Sequence, residues 1–262
     1  MNARIKRFFL YLIRFFSGKK IIVSLTSYPA RYGKLHLVIE SLLKQKLKAN
    51  QIVLYLFEGE ANGLPTELLR LQSKRFRIVK VPENIRPHKK YYYAFQDYPR
   101  DLIITVDDDV IYPDDLVQSF YRKHLQFRDA IICGRCRKPV FSESGKRLPY
   151  NSWPLYKKED QPELSLVATG VGGVLYTPRL LDQRVLDLSS LKELALNQDD
   201  LWLKTMELLK GTKTVLVSLN WKSSKNLSYD NGLFSTNEYG ENDKCIQRLM
   251  DYYHIPEEAL KG

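Results

Sequence analysis

The chain's 262 residues, 44% of them apolar, suffice to bury one good core, and a single large α/β domain is preferred over a domain with an added lobe. Its 41 basic against 30 acidic residues leave a formal charge of +11, which points to anionic partners: nucleotide phosphates, a phospholipid surface or nucleic acid. Three cysteines are too few for a disulfide framework and fit a reducing compartment.

Residues 1–19 are a basic amphipathic segment. Ile5-Lys6-Arg7-Phe8-Phe9-Leu10-Tyr11-Leu12-Ile13-Arg14-Phe15-Phe16 holds six uninterrupted apolar residues, far short of the ~20 that span a bilayer. Arg14 breaks the run and no small-residue cleavage site follows, so a cleaved signal is excluded as well. Basic residues beside Phe, Leu and Ile fit a helix lying on an anionic leaflet, and fit equally a helix packed on the protein's own body.

From there strands and helices alternate. Strands are expected at Ile21 to Leu25, Gln51 to Phe57, Phe76 to Val81, Leu102 to Val106 and Ala130 to Cys133. Between them fall helices at Gly33 to Lys48, Pro65 to Ser73, Lys89 to Gln96 and Pro113 to Phe127, the first with Leu35, Val38, Ile39, Leu42 and Leu43 on one face. This rhythm argues for a largely parallel central sheet with right-handed crossovers. Cys133-Gly134-Arg135-Cys136 has redox or zinc spacing, yet it lies in a strand and has no second pair, so a structural role is preferred. Residues 138–161 are polar and form a functional loop or small hairpin. Thr169-Gly170-Val171-Gly172-Gly173 precedes a short strand, its glycines allowing a sharp turn or a close approach to a ligand. Asn197-Gln198-Asp199-Asp200 is expected to cap a helix over Leu201 to Lys210, and Thr214 to Leu219 a further strand. In the tail, only a helix near Asp243 to Tyr253 is placed.

The most informative stretch is Leu102 to Val110. Five strand-forming residues deliver Asp107, Asp108 and Asp109 to one strand tip, and open α/β sheets bind ligands at such tips. Adjacent carboxylates demand a counter-ion, for which a divalent cation with its own phosphates is the usual solution. The competing reading is a solvated turn capping the next helix, which explains Asp114 and Asp115 better than the tip itself.

The first-strand turn Ser24-Leu25-Thr26-Ser27-Tyr28-Pro29-Ala30-Arg31, the Asp-X-Asp element after a hydrophobic strand, the glycine segment and Asp199-Asp200-Leu201-Trp202 occur in an order that resembles bacterial glycosyltransferases of the GT-A (Rossmann-like) fold. The resemblance is to family-2-like members of the capsule and surface-polysaccharide kind, and it spans about residues 21 to 220. It implies a single α/β domain over 20–222, with a nucleotide-sugar half at 20–115, an acceptor half at 116–222, and a C-terminal extension at 223–262. It implies a hexosyltransferase that moves sugar from a UDP- or GDP-sugar to a hydroxyl of a glycan or polyprenyl-diphosphate-linked acceptor, with inversion and with Mn2+ or Mg2+. It also implies a cytoplasmic enzyme, peripheral on the inner face of the membrane if the basic N-terminus binds there.

Carried over by position, Thr26, Tyr28 and Arg31 hold base and phosphates, with Lys90 (or Lys89) against the nucleotide. Asp107 and Asp108 face the donor, Asp109 is the metal ligand with Asp107 beside it, and Asp200, preferred over Asp199, is the catalytic base. Gly170, Gly172 and Gly173 line the acceptor pocket, and Trp202 or Trp153 stacks on sugar unless it is core. The later metal-ligating histidine of many members has no counterpart among His36, His88, His124 and His254, which leaves Asp109, the diphosphate and water to hold the metal. A sugar-phosphate nucleotidyltransferase is the main alternative, but Ser24 to Arg31 lacks the glycine-rich loop expected of one. A dehalogenase-like phosphatase wants its aspartates on an early strand, and a basic nucleic-acid-binding protein would not set acidic clusters against phosphate.

Overall fold

The computed structural model describes residue 10 and residues 18–221, 225–227 and 240–261. Its strands are β1 (Ile21–Thr26), β2 (Gln51–Phe57), β3 (Phe76–Val81), β4 (Leu102–Thr105), β5 (Val110–Ile111), β6 (Ala130–Cys133), β7 (Cys136–Arg137), β8 (Val167–Ala168), β9 (Val174–Tyr176), β10 (Lys213–Leu216) and β11 (Lys225–Asn226). Its helices are α1 (Tyr32–Leu43), α2 (Thr66–Leu69), α3 (Lys89–Asp97), α4 (Leu116–Gln126), α5 (Leu188–Leu194), α6 (Asp199–Lys210) and α7 (Glu241–Tyr253).

Seven strands form the central sheet in the order β10-β6-β9-β4-β1-β2-β3. All pairings are parallel except those of β9, which runs antiparallel between β4 and β6. The strands are apolar on both faces because both faces are covered. Ile21, Val23, Leu25, Leu54 and Ile104 pack with Leu35, Val38 and Ile39 of α1 and Leu116 and Phe120 of α4. Ile22, Val53, Tyr55 and Ile103 pack on the other side with Tyr91 and Phe95 of α3, Trp202 of α6 and Leu249 of α7. This is the mostly parallel α/β architecture expected, in a single domain.

The chain progresses outward from β1 to β2 to β3, then returns to place β4 on the opposite side of β1. Strand order reverses between β1 and β4, and a crevice opens outside their carboxyl ends. The register sets Ser24 beside Thr105, so the turn after β1 and the acidic run after β4 meet there. The antiparallel β9 was not expected. Its direction follows from the turn at Gly170–Gly172, which brings the chain to the carboxyl end of β4 and sends it back along that strand, Val174 opposite Thr105.

Two further departures are physical. The helix expected to run to Lys48 ends at Leu43, and Gln45 instead donates its side-chain amide to Ser41 O and Pro113 O. The tail assigned to an extension is integrated: β11 pairs with β5, Leu227 N donates to Asp109 O, and Cys245, Ile246 and Met250 of α7 join the core. The basic N-terminal segment lies outside the described residues except Gly18, Lys19 and Leu10, the last buried on the α1 side of the sheet. Among the described residues no helix is long and apolar enough to cross a membrane.

Candidate active site

At the end of β1 the chain leaves the sheet at Thr26, whose hydroxyl donates to Tyr55 O at 2.8 Å and so fixes the start of the turn. Tyr28 and Arg31 follow, the guanidinium lying 5.3 Å from the centre of the Tyr28 ring. From there Arg31 reaches across the crevice to the end of β4. Its Nη1 is 2.5 Å from Asp108 Oδ1 and 3.0 Å from Asp109 Oδ2. Burial opposes the charge, but Asp108 and Asp109 outweigh it and hold the guanidinium above its ordinary value.

Lys90, in the first turn of α3, is the second cation and is 5% exposed. Its ammonium lies 2.8 Å from Asp107 Oδ1, to which it donates, and 2.9 Å from Asp199 Oδ2. Burial is again overcome, here by Asp107 and Asp199, so Lys90 stays charged well above its usual range. Asp199 is correspondingly lowered, Lys90 overriding its burial. The ammonium therefore joins the acidic tip of β4 to the head of α6.

The acids at the head of α6 are not caps. The capping position is Gln198, with no side-chain capping bond, and Asp199 and Asp200 lie in the first turn with their carboxylates facing the crevice. Asp200 accepts the Gly170 backbone N–H at 3.1 Å on both oxygens. Burial, reinforced by Asp199, pushes its carboxyl up to about 8. The acidic tip is no cap for α4 either, which begins beyond Asp115.

The glycine turn closes the crevice from the β9 side. A Cβ on Gly170 would lie 3.0 Å from both Asp107 Oδ1 and Lys90 Nζ, so glycine lets the backbone approach this cluster where a larger residue would press on both side chains. Gly172 packs instead on the Gly134–Arg135 backbone, and Gly173 takes φ +73 to turn into β9 against Leu116 and Phe120. Of the three, Gly170 touches the carboxylate cluster.

Trp202 corrects an expectation: it is fully buried, donates Nε1 to Val185 O and contacts the Tyr253 ring, leaving no face for a sugar. Trp153 is buried as well. Lys89 turns away to Asn84 Oδ1 at 2.8 Å. His88 is buried between the Tyr91 hydroxyl and Ala195 O, and burial pushes it down to about 4, so it is a neutral strut beneath Lys90.

Tyr112 and Arg135 were missed by the sequence reading. The Tyr112 hydroxyl accepts Asp107 N–H and donates toward Val171 O, fixing the acidic tip to the glycine turn. Arg135 donates to Thr169 Oγ1 at 2.8 Å, one residue from the glycine that holds Asp200. The one available sequence signal was alternation, since Arg135 and Arg137 flank Cys136 on a strand.

For a divalent cation, the donors are oxygens of Asp107 and Asp109, both side chains about 28–29% exposed toward the crevice. Burial and Asp107 push the Asp109 carboxyl up to about 6, the mark of a carboxylate short of positive charge. Among the described residues no cluster of three His, Cys, Asp or Glu side chains could hold a metal alone. Two carboxylates suit a magnesium- or manganese-like ion that takes its remaining ligands from phosphate and water, so the donor set fits.

The model of "Glycosyl transferase family 2" matches residues 25–184, which include both strand tips and the glycine turn. No curated protein matches the chain. Among solved structures, S. aureus TarS 1–349 in complex with UDP-GlcNAc superposes with a TM-score of 0.54 at 13% identity, covering 83% of this chain and 61% of that one. The 4-diphosphocytidyl-2C-methyl-D-erythritol synthase of Anaerococcus prevotii gives 0.51 at 11% identity, covering 85% and 96%. These likenesses are likenesses of fold.

Proposed function

Because the chain belongs to glycosyl transferase family 2, we propose that it transfers a hexosyl unit from a UDP- or GDP-sugar to a hydroxyl of a glycan or lipid-linked glycan, with inversion at the anomeric carbon. The observation that carries this reading is the Lys90 bridge, which ties the carboxylate suited to the donor, Asp107, to the acidic pair suited to the acceptor. In this reading Tyr28 offers a half-exposed ring to the base, and Arg31 and Lys90 meet the phosphates. TarS, which shares the fold, was determined with UDP-GlcNAc and with UDP, which favours a uridine nucleotide as the first donor to try.

Asp200 has the environment of a general base. A carboxylate pushed up to about 8 takes a hydroxyl proton far more readily than one in its usual range, while the Gly170 N–H fixes its orientation. Asp199, held ionised by Lys90, keeps that ammonium in register with the acidic tip. Asp109 with Asp107 would hold magnesium or manganese, whose chemistry is to neutralise charge on the departing nucleotide diphosphate.

The nucleotidyltransferase alternative shares the fold, but its glycine-rich loop has no counterpart in Ser24 to Arg31. The function is tested by melting the full chain with a panel of nucleotide-sugars and Mn2+. A donor at 100 times its Kd adds about 2.7 kcal/mol and raises the melting temperature, whereas Asp109→Ala abolishes the rise. No rise with any nucleotide-sugar, or a rise equal to that given by duplex DNA, contradicts the proposal.

A further inference from the structure

After β6 the chain passes Gly134, where the backbone lies so close to Gly172 O that a Cβ would overlap it, and enters β7. Cys136 of that strand is fully buried, and strand alternation sends Arg135 and Arg137 together to the opposite face. Arg135 donates to Thr169 Oγ1 at 2.8 Å, and Arg137 donates to Trp153 O at 2.5 Å with its guanidinium 5.5 Å from the Tyr150 ring centre.

Among the described residues neither guanidinium forms an ion pair with an acid, although Asp200 lies near enough to favour the Arg135 charge. Arg31 is matched by Asp108 and Asp109, and Arg147 by Asp243 and Glu257. Among the described residues, Arg135 and Arg137 have a hydroxyl and a carbonyl instead. Both are half-buried, and burial together with the neighbouring Arg137 lowers the Arg135 guanidinium from its ordinary value. Two like charges held together with hydroxyl and carbonyl partners are an unfavourable arrangement that a bound anion would relieve, and guanidinium forks suit paired oxygens. Arg135 stands at Thr169–Gly170, beside the carboxylate that accepts the Gly170 N–H.

We propose that Arg135 and Arg137 form an acceptor subsite for an anionic group, a carboxylate or a phosphodiester, carried by the glycan close to its reacting hydroxyl. This deepens the glycosyl-transfer reading and rests on it. The donor diphosphate has its own cations at Arg31 and Lys90, so the two anions occupy different places.

The test uses the full chain saturated with UDP and Mn2+. It is titrated with methyl β-D-glucuronide and with the phosphodiester glycerophosphoglycerol, each against its neutral counterpart, methyl β-D-glucoside or glycerol. At least one anionic probe should bind tenfold or more tighter than its counterpart, and which of them does so identifies carboxylate or phosphodiester. Arg135→Gln and Arg137→Gln should each remove most of that preference while UDP affinity stays unchanged, and Arg135→Lys should keep part of it. Equal binding of charged and neutral probes, or a preference that survives both glutamine variants, overturns the inference while UDP binding stands. A chain that binds no UDP overturns the glycosyl-transfer reading and this subsite with it.

Discussion

Lys90→Met removes the one ammonium that joins the two halves of the carboxylate cluster. Methionine keeps the length and bulk of the side chain, so the perturbation is mainly electrostatic: Asp107 and Asp199 lose a partner at 2.8 and 2.9 Å in a largely desolvated place. Breaking a buried pair by deleting one member costs about 3–5 kcal/mol. In the parent protein Asp199 is lowered, so its contribution is present above the ordinary carboxylate value and lost only as pH falls through the lower folded one. Lys90 is raised, so its contribution is present below the ordinary lysine value and lost only as pH rises through the higher folded one. Both are therefore complete from about pH 5 to 9. In the variant the carboxylates face each other without a counter-ion and take up protons as pH falls, so the deficit is largest at pH 7 and shrinks toward pH 5. At about 2–4 °C per kcal/mol for a domain of this size, the melting temperature should drop by roughly 6–20 °C at pH 7. Urea and thermal unfolding of both proteins at pH 7 and pH 5 measure this. A deficit below about 1 kcal/mol at pH 7, or one that grows on acidification, refutes the bridging role.

Three other outcomes are expected. With the Asp200 carboxyl raised to about 8, the proposed base role requires that kcat/KM for transfer climb tenfold per pH unit below that value and level off above it; a flat profile from pH 6 to 9 would remove Asp200 as base. Gly170→Ala, which sets a methyl group 3.0 Å from Asp107 and Lys90, should weaken donor binding in a nucleotide titration by about tenfold, the order of 1.4 kcal/mol. Trp202→Ala should cost about 3–5 kcal/mol in urea unfolding as a buried aromatic does, and unchanged stability with weaker acceptor binding would return it to the sugar site.

The strands could be foreseen because runs such as Ile21 to Leu25 and Leu102 to Val106 are apolar but for one small hydroxyl residue each, Ser24 and Thr105, a pattern that fits a sheet covered on both faces. The acidic tip was legible for the same reason, since a buried strand ending in three carboxylates must present them where the sheet opens. Long-range geometry was not. Lys90 looked like half of a solvated lysine pair, and nothing local distinguishes it from Lys89; the difference is that helix α3 turns Lys90 inward beneath the glycine turn and leaves Lys89 to Asn84. Trp202 follows Asp200 by two residues in the sequence, but a helical step of that size rotates it to the core side of α6. The direction of β9 depends on where its preceding turn docks, and Val174-Leu175-Tyr176 carries no sign of it. Arg135 and Arg137 escaped notice because the feature that sets them apart, a hydroxyl and a carbonyl as partners among the described residues, belongs to the folded surroundings.

The central claim is that donor capture and proton removal are divided between the tip of β4 and the head of α6. Asp200→Asn, compared with the parent protein for nucleotide-sugar affinity and for sugar transfer in the presence of Mn2+, tests that division most directly. The account predicts a donor Kd within about twofold of the parent and a loss of transfer of at least 10²-fold, the usual contribution of a positioned general base. Transfer retained within a few-fold, or donor affinity lost together with transfer, would contradict it.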